Sequence, residues 1–283
     1  MKVLITGGSG LLGRYLSSAA PVDYTLATTW YSNHVPECTF RMDISNRAEV
    51  RDIFGRFNPN VVIHCAANGS VDFCEKNYTD AYNINVIGTK NILAASKDHH
   101  SKFIFLSTNA VYKGDDGPYS EESNREPINR YGSIKKQAED IVVDYHNHII
   151  IRPFLLYGWP HYNGRTNWMA TIVHKLKRNE KIKMVDDIYA QPTSAKDLAN
   201  VIWKLLEFKN EAFNIAPNQK MSLYEFGLLV CDRFRLDKNL IEPIKFHTLE
   251  NIAPRPIDST YDVAKINNLG IIIPSIEKGL QGV

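Results

Sequence analysis

The first thirteen residues restrict this chain more than any other stretch. Lys2–Thr6 (KVLIT) is a short, largely apolar run of β character, and Gly7, Gly8, Ser9 and Gly10 follow at once. Leu11, Leu12, Tyr15, Leu16 and Ala19 then recur at helical spacing. Strand, glycine turn and helix, with glycines at Gly7, Gly10 and Gly13, is the arrangement that takes a dinucleotide pyrophosphate. The turn needs positive φ, the backbone must approach the phosphates without a Cβ, and the free N–H groups at the helix start attract the anion. A glycine triplet alone is weak evidence, but here the strand before it and the helix after it supply the required context. Gly7, Ser9, Gly10, Leu11, Leu12, Gly13 and Arg14 are therefore expected to contact a dinucleotide cofactor.

The rest of the chain must complete a sheet around that unit. Its 283 residues amount to about two domains. Lys+Arg 33 against Asp+Glu 31 leaves a net charge of +2, which points away from nucleic acid and membrane surfaces as partners. Cys38, Cys65, Cys74 and Cys231 form no CxxC pair, so neither a zinc site nor a disulfide framework is expected, and no metal is assigned. The apolar run Ile149–Trp159 is interrupted by Arg152 and is too short to span a bilayer. A strand beginning at residue 2 leaves no room for a signal peptide, so the expected location is cytoplasmic.

Taken in order, Tyr24–Trp30 reads as the second strand. The acid that grips a ribose 2′-hydroxyl in this motif should fall near its end. Thr28, Thr29, Trp30, Tyr31 and Ser32 offer no Asp or Glu to repel a 2′-phosphate and no Arg to bind one. Thr29 is a cofactor candidate, Arg14 is the nearest cation, and the expectation leans to NADPH with NADH use allowed. Thr39–Ile44 is read as a third strand that sets Asp43 and Ile44 beside the adenine, with Asp43 either an acceptor for the adenine amine or a plain turn acid. Asn60–Cys65 is a buried parallel strand by its continuous apolar run. Ala66, Ala67 and Asn68 after it are small enough for a cofactor to lie against the backbone, and His64 is expected in the core.

Tyr82–Ser96 reads as a helix with Asn85 inside it, where propensity disfavours Asn. Lys102–Leu106 delivers Ser107, Thr108 and Asn109 at the carboxyl end of a strand, where ligands bind in open α/β sheets. A polar loop over 113–129 follows. Tyr131 then opens a helix with Lys135 one turn later, so phenol and ammonium share a face. Tyr261 and Lys265 have the same spacing but follow the proline-bounded segment Pro254–Pro256 rather than a strand end. His148–Arg152 is another strand. Ile182–Val185 is expected to rejoin the sheet and Ser194–Leu206 to be a helix. Ser222 with Glu225 forms a capping box for a helix running towards Phe234. The expected fold is α/β, a doubly wound parallel sheet (Rossmann) over residues 1–153, with a smaller C-terminal α/β substrate domain over 154–283 from which roughly 182–206 returns to the first.

The glycine triplet, Asn85, Ser107-Thr108 and Tyr131/Lys135 together resemble an extended short-chain dehydrogenase/reductase. Within that superfamily the chain is similar over nearly its full length to the dTDP-4-dehydrorhamnose reductase family. The likeness takes in Val71-Asp72, Arg152, Tyr157-Gly158, Asn167, Asp187 with Tyr189, Pro192-Thr193 and Arg255-Pro256. It departs from the family where Asn109 and Ala110 replace an Asp-Tyr pair and Leu155 replaces a Trp, both at sugar-facing positions. The Thr-Asp-Glu of related dehydratases is absent. The resemblance implies NAD(P)H-dependent reduction of a 4-keto group on a nucleotide-linked deoxysugar. Tyr131 would be the general acid, Lys135 would hold the cofactor ribose and favour the phenolate, and Thr108 would polarise the carbonyl, with Ser107 a lesser candidate. Asn85, Tyr131, Lys135 and Arg152 would touch the cofactor. Val71, Asn109, Ala110, Tyr131, Leu155, Asn167 and Arg255 would line the substrate site, Arg255 on the sugar diphosphate or as a plain surface cation. A nucleotide-sugar substrate is the expected partner and a homodimer is allowed. Two alternatives stay open: a nucleotide-sugar 4-epimerase that keeps NAD bound, and a non-catalytic NADP-binding regulatory subunit like that of methionine adenosyltransferase.

Overall fold

Continuous apolar runs make the middle of this protein. The computed structural model describes residues 1–283, and seven strands form its central sheet: β1 (Lys2–Thr6), β2 (Thr25–Trp30), β3 (Phe40–Arg41), β4 (Val61–His64), β5 (Lys102–Leu106), β6 (His148–Pro153) and a late strand, Glu211–Ile215. β4 and β6 are buried along their whole length, as strands covered on both faces must be. The spatial order is Glu211–Ile215, β6, β5, β4, β1, β2, β3. All six adjacent pairings are parallel.

Parallel neighbours need crossovers; an irregular segment over 31–39 joins β2 to β3, and the other connections run through helices. In chain order they are α1 (Leu11–Ser18), α2 (Arg47–Phe57), α3 (Val71–Lys76), α4 (Tyr78–Tyr82), α5 (Gly88–Asp98), α6 (Arg130–Val142), α7 (Trp168–Leu176), α8 (Ala195–Lys204) and α9 (Leu223–Phe234). Alternate residues of β1 serve opposite faces. Val3 and Ile5 pack with Leu12 and Leu16 of α1 and Leu198 and Ile202 of α8. Leu4 packs with Val50 of α2, Ile92 of α5 and Val142 of α6. The chain leaves β1 towards one edge through β2 and β3, then returns beside β1 as β4. That reversal opens a crevice at the carboxyl ends of β1 and β4, the usual ligand position in such sheets.

A second, smaller core lies after residue 156. Met169, Ile172 and Val173 of α7 meet Phe226 and Val230 of α9, together with Ile182, Met184 and Ile241. Here the expected layout needs correction. Ile182–Val185 does not rejoin the central sheet; it pairs in parallel with Ile241–Ile244 inside the smaller unit. The part that returns is α8 followed by Glu211–Ile215, which pairs with β6. The α9 capping box is present, with the Ser222 side chain and the Glu225 carboxylate each bonding the other's backbone amide.

The last thirty residues then cross back over the sheet. The Asp258 amide donates to the Gly114 carbonyl, the Tyr119 amide to Thr260, and the Asn129 side chain to the Pro254 carbonyl. No helix is long and apolar enough to cross a membrane.

Candidate active site

The glycine turn fits its expected task. Gly7 adopts φ +70, and a β-carbon there would lie 2.8 Å from the Ala66 amide nitrogen, so the turns after β1 and β4 meet backbone to backbone. Its amide donates to the Thr29 hydroxyl at 3.2 Å. Gly10 caps α1 without a side-chain acceptor, and no acid lies in the first turn. The helix start is left to whatever anion the turn receives, which suits a pyrophosphate. Leu12 is buried in the core, so only its backbone faces that space.

The β4 end is organised by Asn85. It lies in a π-helical turn, Asn83–Ile87, rather than in the α-helix expected there, and is 1% exposed. Its oxygen accepts from the Asn68 amide at 2.8 Å and its nitrogen donates to the Asn68 carbonyl at 3.0 Å. Asn85 thus fixes the Ala66–Asn68 turn from behind. His64 is a core histidine, bonded to the Thr6 and Thr89 hydroxyls. Burial, assisted by the Lys135 charge, pushes its pKa down to about 3.

Thr108, just beyond β5, lies beside the Tyr131 phenol in the first turn of α6, with Lys135 one turn further along that helix. Asn129 caps α6 by accepting from the Gly132 amide at 2.8 Å. A β-carbon on Gly132 would lie 2.0 Å from the Ala110 carbonyl, so glycine lets α6 press against the turn after β5. Lys135 is 2% exposed, donates to the Leu106 carbonyl at 2.6 Å and sits 3.9 Å from the centre of the Phe105 ring. Burial lowers it to about 7, against the opposing pull of Glu139, Cys65 and Cys74. Burial also pushes the Tyr131 phenol up to about 12, while the Thr108 hydroxyl and the Arg165 charge pull it back. The Thr108 hydroxyl accepts from the Ala110 amide, contacts the Asn109 side-chain oxygen at 3.4 Å and reaches the Tyr131 phenol, so its proton faces the same space as the phenol's. Ser107 Oγ is buried without a hydrogen-bond partner of good geometry.

Several expected contacts lie elsewhere or are engaged within the chain. Arg152 does not face the cofactor turn. It is 4% exposed and makes two hydrogen bonds to Glu139, at 3.0 and 2.7 Å, and one to the Tyr112 hydroxyl. Burial alone would raise the Glu139 carboxyl, but Arg152, with help from Ser107 and Arg125, holds it below its usual range. Arg255 donates to both Asp72 oxygens at 2.9 Å and to the Ala253 carbonyl, so it is neither a free phosphate ligand nor a plain surface cation. Asp43 Oδ1 accepts from the Ser45 amide and hydroxyl. Ile44 is buried in the core that the sheet forms with α2, α5 and α6. Asn167 caps α7 and holds the Gly158 carbonyl. Asn109 donates to the Ser259 hydroxyl, and Ala110 is buried. Val71 opens α3, and Leu155 sits at φ +27 just beyond β6. Arg14 donates to the Trp159 and Pro160 carbonyls, beside a cavity of about 420 Å³ that Gly8, Thr28, Glu37 and His161 also line. The Tyr261/Lys265 pair is structural: Tyr261 is buried, and Lys265 bonds Glu211 and the Ala212 carbonyl.

Three charged groups near the site were not singled out by the sequence. Glu139 is fully buried one turn after Lys135 and could have been found by extending the i, i+4 series. Glu37 and Arg165 lie on irregular segments, where no periodic signal marks them.

Comparison with known proteins agrees with the fold. The family model described as RmlD substrate binding domain matches residues 1–283. Spore coat polysaccharide biosynthesis protein SpsK of Bacillus subtilis is 28% identical, over 95% of this chain and 92% of its own. Methionine adenosyltransferase 2 subunit beta of Xenopus laevis is 27% identical, over 95% of this chain and 83% of its own. Among solved structures, dTDP-4-dehydrorhamnose reductase from Bacillus anthracis in complex with NADP superimposes with a TM-score of 0.89. It is 29% identical, with 99% of this chain and 97% of that one covered.

Proposed function

Since the chain belongs to the RmlD substrate binding domain family, we propose that it reduces the 4-keto group of a nucleotide-linked deoxysugar, with NADPH as reductant. The observation that supports this reading is the Thr108 hydroxyl set against the Tyr131 phenol, with the buried Lys135 amine one turn along the same helix. A purely binding role needs the turn but does not call for a hydroxyl against a phenol with a buried amine on the same helix. When bound there, a reduced nicotinamide supplies the hydride. Thr108 donates to the carbonyl oxygen and polarises it. Tyr131, protonated throughout the working pH range, gives its proton to the oxygen as charge develops. Lys135 in its charged form makes that phenol a stronger acid. Asn85 keeps the Ala66–Asn68 turn from moving into the cofactor's space. The test is a screen of 4-keto sugar nucleotides, following loss of NADPH absorbance. Failure with every one of them would favour the regulatory reading, and purified protein carrying stoichiometric NAD would favour an epimerase.

The amine gives the reaction a pH dependence. Burial lowers Lys135 to about 7, and the groups facing it are Glu139 on its own helix, Cys65 at the end of β4, His64 and Cys74. It is charged below that pH and neutral above it. Initial-rate kcat/KM for reduction is therefore expected to be highest below about pH 7 and to fall as the pH rises through it. A limb that persists unchanged in Lys135→Met would assign the titration to another group.

Cofactor choice should be modest. Glu37 shares the cavity beside Gly8 with Arg14, so a carboxylate and a guanidinium both face the space next to the turn. NADPH and NADH are both expected to bind. Glu37→Gln should move the ratio of their dissociation constants towards NADPH by up to about tenfold, or ~1.4 kcal/mol, and Arg14→Gln should move it the other way. An unchanged ratio in both variants would take this cavity out of cofactor recognition.

A further inference from the structure

We propose that Arg165 is the anchor for the substrate's diphosphate, an inference that rests on the sugar-nucleotide reading above. The Arg165 Nη1 and the Tyr131 hydroxyl lie 3.9 and 4.0 Å from the place a Gly69 β-carbon would take, so cation and phenol both border the space above that glycine. Arg165 is exposed, and its guanidinium has no carboxylate or carbonyl partner. The carboxylates around the site are already engaged: Asp72 with Arg255, Glu75 with Arg130, and Glu139 with Arg152. That leaves a positive charge beside the proton donor with nothing in the chain to balance it.

The loop that carries Arg165 is held at several points. Arg14 bonds the Trp159 and Pro160 carbonyls, Asn163 bonds the His34 carbonyl at 3.1 Å, and Asn167 bonds Gly158. The backbone is fixed on both sides while the side chain is left free. A planar guanidinium pairs well with two phosphate oxygens. In a hexopyranose with a ketone at C4 and a diphosphate at C1, the two groups stand at opposite ends of the ring. One sugar laid over Gly69 therefore meets Tyr131 at one end and Arg165 at the other. Arg255, locked to Asp72, is not available for that role.

The test is Arg165→Met, an exposed substitution that keeps length and removes charge, with Arg165→Lys beside it. With a 4-keto sugar nucleotide, KM is expected to rise roughly 10- to 100-fold, as the loss of a charged hydrogen bond predicts. kcat should stay within about threefold, since the interaction is present before and during the reaction. Arg165→Lys should recover part of the loss. On NADPH-saturated protein, dTDP and UDP are titrated in parallel, and whichever binds wild type should lose at least about tenfold in Arg165→Met. A fall in kcat at unchanged KM would overturn the anchor role and put Arg165 on the reacting oxygen. If wild type turns over no keto-sugar nucleotide, the reductase reading falls, and the titration alone decides. Binding that the variant loses keeps the diphosphate site; equal binding, or none by either protein, overturns it.

Discussion

Tyr131→Phe is expected to lower kcat and kcat/KM together by roughly 10²–10⁴-fold, the usual contribution of a positioned general acid. The substitution removes one oxygen and leaves the ring against its neighbours, so folding should change little. The lost proton matters only as charge reaches the carbonyl oxygen, and cofactor affinity should stay nearly intact. Lys135→Met should differ by weakening cofactor binding as well, because the family resemblance has Lys135 holding the cofactor ribose. Tyr261→Phe is the matched control: its hydroxyl makes only a 3.4 Å contact to the Pro153 carbonyl, and turnover should remain near wild type. Retained turnover in Tyr131→Phe, with loss in Tyr261→Phe, would put the active site on the wrong segment.

Arg152→Met should be the most destabilising of the substitutions considered, by about 3–5 kcal/mol. It leaves the fully buried Glu139 carboxylate with Arg125, bonded at 2.9 Å, as its one hydrogen-bonded cation. The Tyr112 hydroxyl loses a partner in the same step. Adding Glu139→Gln should restore much of the loss, since the neutral amide no longer needs a counter-charge. Denaturant titration measures both. If stability is unchanged while NADPH affinity collapses, Arg152 belongs to the cofactor site after all.

These two residues also mark the boundary of what the sequence could tell. Tyr131/Lys135 was legible because helical spacing is a local property, and because the Lys102–Leu106 strand was readable to the residue from its apolar run. β1 was equally plain. The third strand shrank from Thr39–Ile44 to Phe40–Arg41 because edge strands carry little burial to mark them. Glu211–Ile215, which opens with an acid and carries Asn214, gave no strand signal and owes its place to β6. The roles of Arg152 and Arg255 were not legible at all. What decides them is a carboxylate 13 residues away in one case and 183 in the other, and no periodicity announces such a pairing. Asn85 drew notice as a poor helix former, and the π-helical turn is the physical answer: it turns the side chain onto the Asn68 backbone.

The route of the chain bears on how such a molecule can be cut and rejoined. The cofactor half lends its chain to the smaller unit after β6, takes it back for α8 and the Glu211–Ile215 strand, and lends it again. The final segment then returns to tie Gly114, Tyr119 and Asn129. No single break therefore separates two pieces that could each fold, and no single crossover would graft a foreign sugar pocket onto this nucleotide-binding frame. Moving a sugar pocket between relatives would take several crossovers at once, or point changes around the proposed site at Gly69. Pocket diversity in a chain laced this way is expected to accumulate by substitution rather than by shuffling.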